Sequence, residues 1–149
     1  MTSDQVLLVR SSWAAIATHG DELSVRFYDH LFAIDQGAAR LFSHVDMSAQ
    51  RAKLAQMLGA VVHSLDDIDS LLPALAALGK RHTHYGVEDR HFDSVGEALV
   101  LALSDVCSDD FTPELRAAWT VAYALIASVM KRALVRGANG IAHEPAHTA

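Results

Sequence analysis

Apolar residues recur every three or four positions along most of the chain, and no segment alternates apolar and polar residues over a strand's length. That period puts them on one stripe of an α-helix, so the chain must bury a set of helical stripes against one another. Val6, Val9, Trp13 and Ile16 make the first stripe, behind a Thr2-Ser3-Asp4-Gln5 capping box. Leu23, Phe27, Leu31 and Ile34 make the second, opened by Asp21-Glu22 where the helix dipole favours negative charge. A short turn with Gly37 leads to Leu41-Phe42 and a polar stretch from Ser43 to Ser48. Leu54, Leu58, Val61 and Leu65 share the next face, which Asp66-Asp67-Ile68-Asp69-Ser70 breaks. Pro73 suits the first turn of a helix ending near His82. Phe92, Val95, Leu99, Leu103 and Val106 follow at helical spacing. Thr112 and Pro113 then cap and open a last helix striped by Leu115, Trp119, Ala122, Ile126 and Met130. From Gly137 the period stops and a frayed tail is expected. The result is an all-α chain of six or seven helices without internal repeat, and its 149 residues suffice for one domain with a real core.

Several function classes drop out. A formal charge of −6 leaves no basic stripe to offset phosphate repulsion, so no nucleic-acid partner is expected. No apolar run approaches the ~20 residues that span a bilayer, and the N-terminus lacks the pattern of an export signal. The single cysteine, Cys107, excludes an internal disulfide and a four-cysteine metal site; it reads as a helix-end packing residue in a reducing cytoplasm. No Gly-rich phosphate loop, Gly-x-Ser-x-Gly or His-Glu-x-x-His occurs.

One histidine stands apart. In Leu78-Gly79-Lys80-Arg81-His82-Thr83-His84-Tyr85-Gly86-Val87 an apolar helical stretch ends in His82, a glycine follows four residues on, and a new amphipathic helix begins. A neutral imidazole held there against an apolar cavity is what holding haem iron from one side requires. Taken alone, a histidine near a helix end is a solvated or capping residue. Tyr28 beside Phe27 is, alone, a boundary tyrosine with a wet hydroxyl. Gln50 is, alone, a surface glutamine, although it shares a helical face with Leu54 four residues on. Phe42 alone is plain core.

As an ordered set these residues resemble the single-domain bacterial globins and the globin half of flavohaemoglobins. The markers are Phe27-Tyr28, Leu31-Phe32, Phe42, Gln50 and Leu54, the His82-x-x-x-Gly86-Val87 turn, Val95-Gly96-Glu97, and the Trp119/Tyr123 pair. They run from about Val6 to about Leu134. The resemblance implies a three-over-three globin fold around haem b, with a globin domain at 1–136 and a flexible tail at 137–149. It places His82 as the proximal iron ligand; His84, two residues on, points elsewhere on a helix and is expected to be exposed, and the other histidines (His19, His30, His44, His63, His91, His143, His147) show no ligand spacing and are expected at the surface. Leu78 would pack under the porphyrin, Arg81 would reach a propionate, and Phe42, Leu54, Val87, Phe92 and Val95 would line the haem. Tyr28 and Gln50 would face the iron's other side, where the Tyr28 hydroxyl would donate to bound dioxygen and Leu54 would act as a steric lid.

The chain also departs from that family. Flavohaemoglobins place a tyrosine and a glutamate beneath the haem, bonded to the proximal histidine; the corresponding residues are Phe92 and Arg136. Gln36 stands where the family often has a proline opening its short third helix. His82 is therefore expected to be an ordinary neutral imidazole, with a weakened push toward O–O activation. Flavin- and nicotinamide-binding domains are absent from the 149 residues, so turnover would need an outside reductase. Three functions follow: reversible dioxygen binding for storage or transport, nitric oxide dioxygenation with a separate reductase, or gas sensing. A monomer or weak homodimer is expected.

Overall fold

The computed structural model describes residues 1–77 and 89–143, with side chains in the second stretch described from 90 to 132. Leu78, Arg81, His82, His84 and Val87 lie outside the described residues, as does the Arg136 side chain.

Helix α1 (Ser3–Ala17) opens as its sequence dictates: the Thr2 hydroxyl accepts from the Gln5 N–H and the Gln5 side chain accepts from the Thr2 N–H. Two of the orphan donors at the helix start are satisfied in this way. Gly20, at φ +67°, turns the chain into α2 (Glu22–Ile34). Asp35 closes α2 and caps α3 (Gln36–Leu41), its Oδ1 accepting from the Ala38 N–H at 3.1 Å. Gln36 thus opens the third helix without a proline, because the carboxylate before it supplies the cap. Asp46 opens α4 (Met47–His63) in the same way, with Oδ1 accepting from the N–H groups of Ser48 and Ala49.

A 3-10 turn at Ile68–Leu71 and helical residues 72–77 follow, with Pro73 at the second position of that stretch. Helix α5 (Asp89–Cys107) and a 3-10 turn at Ser108–Asp110 lead to α6 (Pro113–His143). The Thr112 hydroxyl accepts from the Leu115 N–H at 3.2 Å, and Pro113 takes the first helical position, where its missing N–H costs nothing. Helix α6 continues past Gly137, where a frayed tail was expected. Glycine costs a helix only about 1 kcal/mol relative to alanine, too little to end one already this long when alanine and isoleucine follow.

The stripes meet in one core. Val9, Ile16, Leu23, Phe27, Leu31, Leu58, Val61 and Leu65 are buried with Leu99, Leu103, Leu115, Trp119, Ala122, Ile126 and Met130. Burying each large apolar side chain contributes about 1.5–3 kcal/mol relative to exposure. Among the described residues the most extensive helix contact is α2 against α5, followed by α1 against α6. Ile34, expected on the buried stripe, is 37% exposed. It is the last residue of α2, where the backbone turns toward α3 and the stripe ends at Leu31. The Trp119 indole N–H donates to the Ser12 hydroxyl at 2.9 Å, tying α6 to α1. Arg10 of α1 donates to the carbonyls of Val62 and His63 at the end of α4 and pairs with Asp66 at 2.9 Å. No helix among the described residues is long and apolar enough to cross a membrane.

Candidate functional site

Tyr28 lies at the middle of α2, 6% exposed, with its ring enclosed by phenylalanines. The Phe27 ring meets it edge-on with centroids 4.9 Å apart, and Phe42 meets it edge-on at 5.5 Å. Phe32 lies 5.8 Å from Tyr28 and 5.6 Å from Phe42, so two rings of α2 and one from the turn after α3 form a closed triangle. The geometry is the edge-to-face and tilted packing that aromatic quadrupoles favour.

Across from these rings, α4 brings Gln50 to Tyr28. The Gln50 amide donates to the Tyr28 hydroxyl oxygen at 3.1 Å, across 22 residues of sequence. The hydroxyl, having accepted this bond, keeps its own proton to donate elsewhere. Burial pushes the Tyr28 phenol above its ordinary value, outweighing the Gln50 bond that pulls the other way, so the group stays a neutral donor. Gln50 and Leu54 are both half-buried, and their four-residue spacing puts them on one face of α4. Phe42 and Val95 are half-buried as well, packed against the core. The structure thus joins Tyr28, Phe42 and Gln50 directly.

On the α5 side the Phe92 ring is buried and Lys131 Nζ stands 5.6 Å from its centroid. The Phe92 carbonyl accepts from the Tyr123 hydroxyl at 2.6 Å. Phe92 has no hydroxyl of its own, and its segment is held by the neighbouring helix through this backbone bond.

One residue expected at the surface lies inside. His91 is 5% exposed, with Nε2 3.9 Å from Asp35 Oδ2. Its burial follows from α5 packing on the α2–α3 corner, which no local spacing announces. His19, His44 and His63 are exposed, whereas His30 is half-buried and meets Asp105 at 2.6 Å. Asp35 is a second buried residue that sequence reasoning missed. Its place one residue before Gln36-Gly37-Ala38 signals an N-cap, but nothing nearby in sequence signals its partners on α5.

The family model named Globin matches residues 25–130. The chain belongs to the globin family. Among its relatives is the flavohemoprotein of Bacillus subtilis, 29% identical over 122 residues, which cover 80% of this globin and 31% of the relative. The flavohemoprotein of Vibrio cholerae is 24% identical over 131 residues, covering 87% of this chain and 33% of that one. The globin therefore spans about a third of the length of these curated relatives. Among solved structures, an engineered carbene transferase built on a suggested nitric oxide dioxygenase from Rhodothermus marinus superposes with a TM-score of 0.86 at 27% identity, covering 95% of this chain and 99% of that one. A hexacoordinated haem protein from an anhydrobiotic tardigrade matches at TM-score 0.79 and 16% identity over 90% of this globin and 95% of its own chain, a likeness of fold.

Haem is the cofactor that membership implies. The donor set fits it: two polar groups, Tyr28 and Gln50, meet inside an aromatic and aliphatic wall. A mostly apolar wall with few polar groups is compatible with a largely apolar macrocycle whose iron takes a polar ligand.

Proposed function

We propose that this globin binds dioxygen reversibly at haem b and releases it slowly, as a store or carrier of oxygen. The observation that carries the proposal is the Gln50 amide donating to the Tyr28 hydroxyl. Haem, when bound, supplies a ferrous iron that accepts a diatomic gas. In this reading His82 would hold the haem iron, Leu78 would pack on the macrocycle, Arg81 would meet a propionate, and Val87, Phe92 and Val95 would line it. Phe42 and Leu54 close the distal side and exclude water. Tyr28 donates its remaining proton to the ligand. Because its oxygen already accepts from Gln50, the hydroxyl is both oriented and polarised as a donor. A preplaced donor of this kind stabilises developing negative charge on a ligand by about 1–3 kcal/mol.

The test is oxygen release from the reduced, haem-loaded protein. A five-coordinate ferrous spectrum giving a long-lived oxy complex in air supports the proposal. A six-coordinate ferrous form without added ligand, or rapid release, overturns it.

A second reading, nitric oxide dioxygenation with an external reductase, is favoured by the kinship with flavohemoproteins and with the Rhodothermus marinus protein. The same distal pair would serve it. Nitric oxide consumption far beyond one equivalent per haem, in the presence of a reductase and NADH, supports that reading; one stoichiometric burst supports the carrier.

A further inference from the structure

Asp35 joins the α2–α3 corner to α5. Its backbone N–H ends α2 on the Leu31 carbonyl at 2.9 Å, and its Oδ1 caps α3 through the Ala38 N–H at 3.1 Å. The carboxylate therefore sits midway along the chain between Tyr28 and Phe42. Its other oxygen faces α5, where Ser94 Oγ donates to Oδ2 at 3.2 Å and Arg90 Nη1 donates at 3.2 Å. The side chain is 9% exposed, while that of Arg90 is 59% exposed. Gly37 makes room for this crossing: a Cβ there would stand 3.1 Å from Asp35 Oδ1 and 3.2 Å from Arg90 Nη2. Arg90 and Ser94 bracket Phe92 on α5, and Ser94 immediately precedes Val95.

A buried carboxylate is costly to desolvate, and apolar packing at such a junction is often as stable or more so. What a carboxylate adds is direction, since its two oxygens fix both helices to one point. We infer that Asp35 is a positioning residue that sets the register of the Tyr28–Phe42 wall against the Phe92–Val95 wall, and so the fit of the haem between them. The inference rests on the haem-pocket reading proposed above.

The test compares Asp35→Asn with Asp66→Asn in the haem-loaded protein. Asp66 is also a paired carboxylate, but it joins α1 to the end of α4. Two readouts are used besides thermal stability: haem transfer to an excess of apomyoglobin, and the infrared stretch of carbon monoxide bound to the reduced protein. Asp35→Asn is expected to lose haem about tenfold faster, the equivalent of one charge-assisted hydrogen bond, and to broaden or split the carbon monoxide band. Asp66→Asn is expected to lower stability without moving either readout. Ser94→Ala removes a single donor and leaves the charge pair, so it should fold and shift both readouts less, in the same direction. Unchanged haem loss and an unchanged band in both Asp35→Asn and Ser94→Ala overturn the inference. So does acceleration in all three variants in proportion to lost stability. A wild-type protein that takes up no haem fails differently, overturning the pocket reading and this inference together.

Discussion

Tyr123 lies so close over Gly96 that a Cβ at residue 96 would come within 2.8 Å of its ring. The same tyrosine donates its hydroxyl to the Phe92 carbonyl at 2.6 Å, so ring contact and hydrogen bond together fix α6 against the first half of α5. Gly96→Ala would gain helix propensity on α5, about 1 kcal/mol. It would also push the ring aside and break the Phe92 bond, and overpacking of this kind costs about 1–3 kcal/mol. The expected net effect is a loss of stability, read as a lower urea midpoint at unchanged slope. A midpoint that rises would mean the ring yields freely.

Tyr28→Phe keeps the aromatic triangle and removes the hydroxyl that Gln50 meets. Oxygen dissociation should speed about ten- to a hundredfold, at ~1.4 kcal/mol per decade. A stopped-flow off-rate equal to wild type would remove Tyr28 from the distal role.

Gln50→Leu tests the arrangement from the other side. It leaves the Tyr28 hydroxyl without its fixed partner, so the donor rotates among orientations instead of holding one. Oxygen release should quicken by less than in Tyr28→Phe, since the donating group survives. An off-rate faster than that of Tyr28→Phe would show that the amide, rather than the phenol, faces the ligand.

His82→Ala should abolish stable haem binding, and externally added imidazole should restore a Soret band by filling the space of the lost ring. Native spectra in the variant without imidazole would assign the iron to another ligand.

Acid should loosen the α2–α3 corner. Burial of Asp35 raises its carboxyl's pKa, but the Ala38 N–H, Ser94, the Arg90 charge and the neighbouring His91 together outweigh it and hold the group below the ordinary value of about 3.9. A carboxyl depressed in the folded state adds stability above its unfolded pKa and loses it as pH falls through its folded one. Asp35→Asn should therefore flatten the fall of the urea midpoint below about pH 4. Asp66, held low chiefly by its hydrogen bond from Arg10, is mostly exposed and should contribute less to that slope.

Much of the fold was legible because helix caps and stripes are local. Thr2, Thr112 and Pro113 act as their spacing dictates, and the stripe from Leu115 to Met130 is buried at every position named from the sequence. Tyr28 and Gln50 could be paired only through resemblance, because 22 residues and a change of helix separate them. His91 and Asp35 escaped for a related reason. Their burial is created where α5 docks on the α2–α3 corner, and a polar side chain there looks in sequence like any turn residue. Gly137 misled in the opposite sense, since a helix breaker near the end of a long helix is a weak obstacle that its neighbours overcome.

If Tyr28 and Gln50 face the ligand as proposed, the cap on α4 bears on how long that ligand stays. Gln50 is only one turn from the start of its helix, with its own N–H bonded to the Asp46 carbonyl at 3.0 Å. The amide that steadies Tyr28 is thus suspended from a carboxylate holding two backbone protons at a helix end. Opening of that clasp would free the first turn, and Gln50 with it, while Arg10 still held the far end of α4. The lifetime of a bound gas would then follow the fraying rhythm of a single helical turn as well as the strength of any bond to the ligand itself.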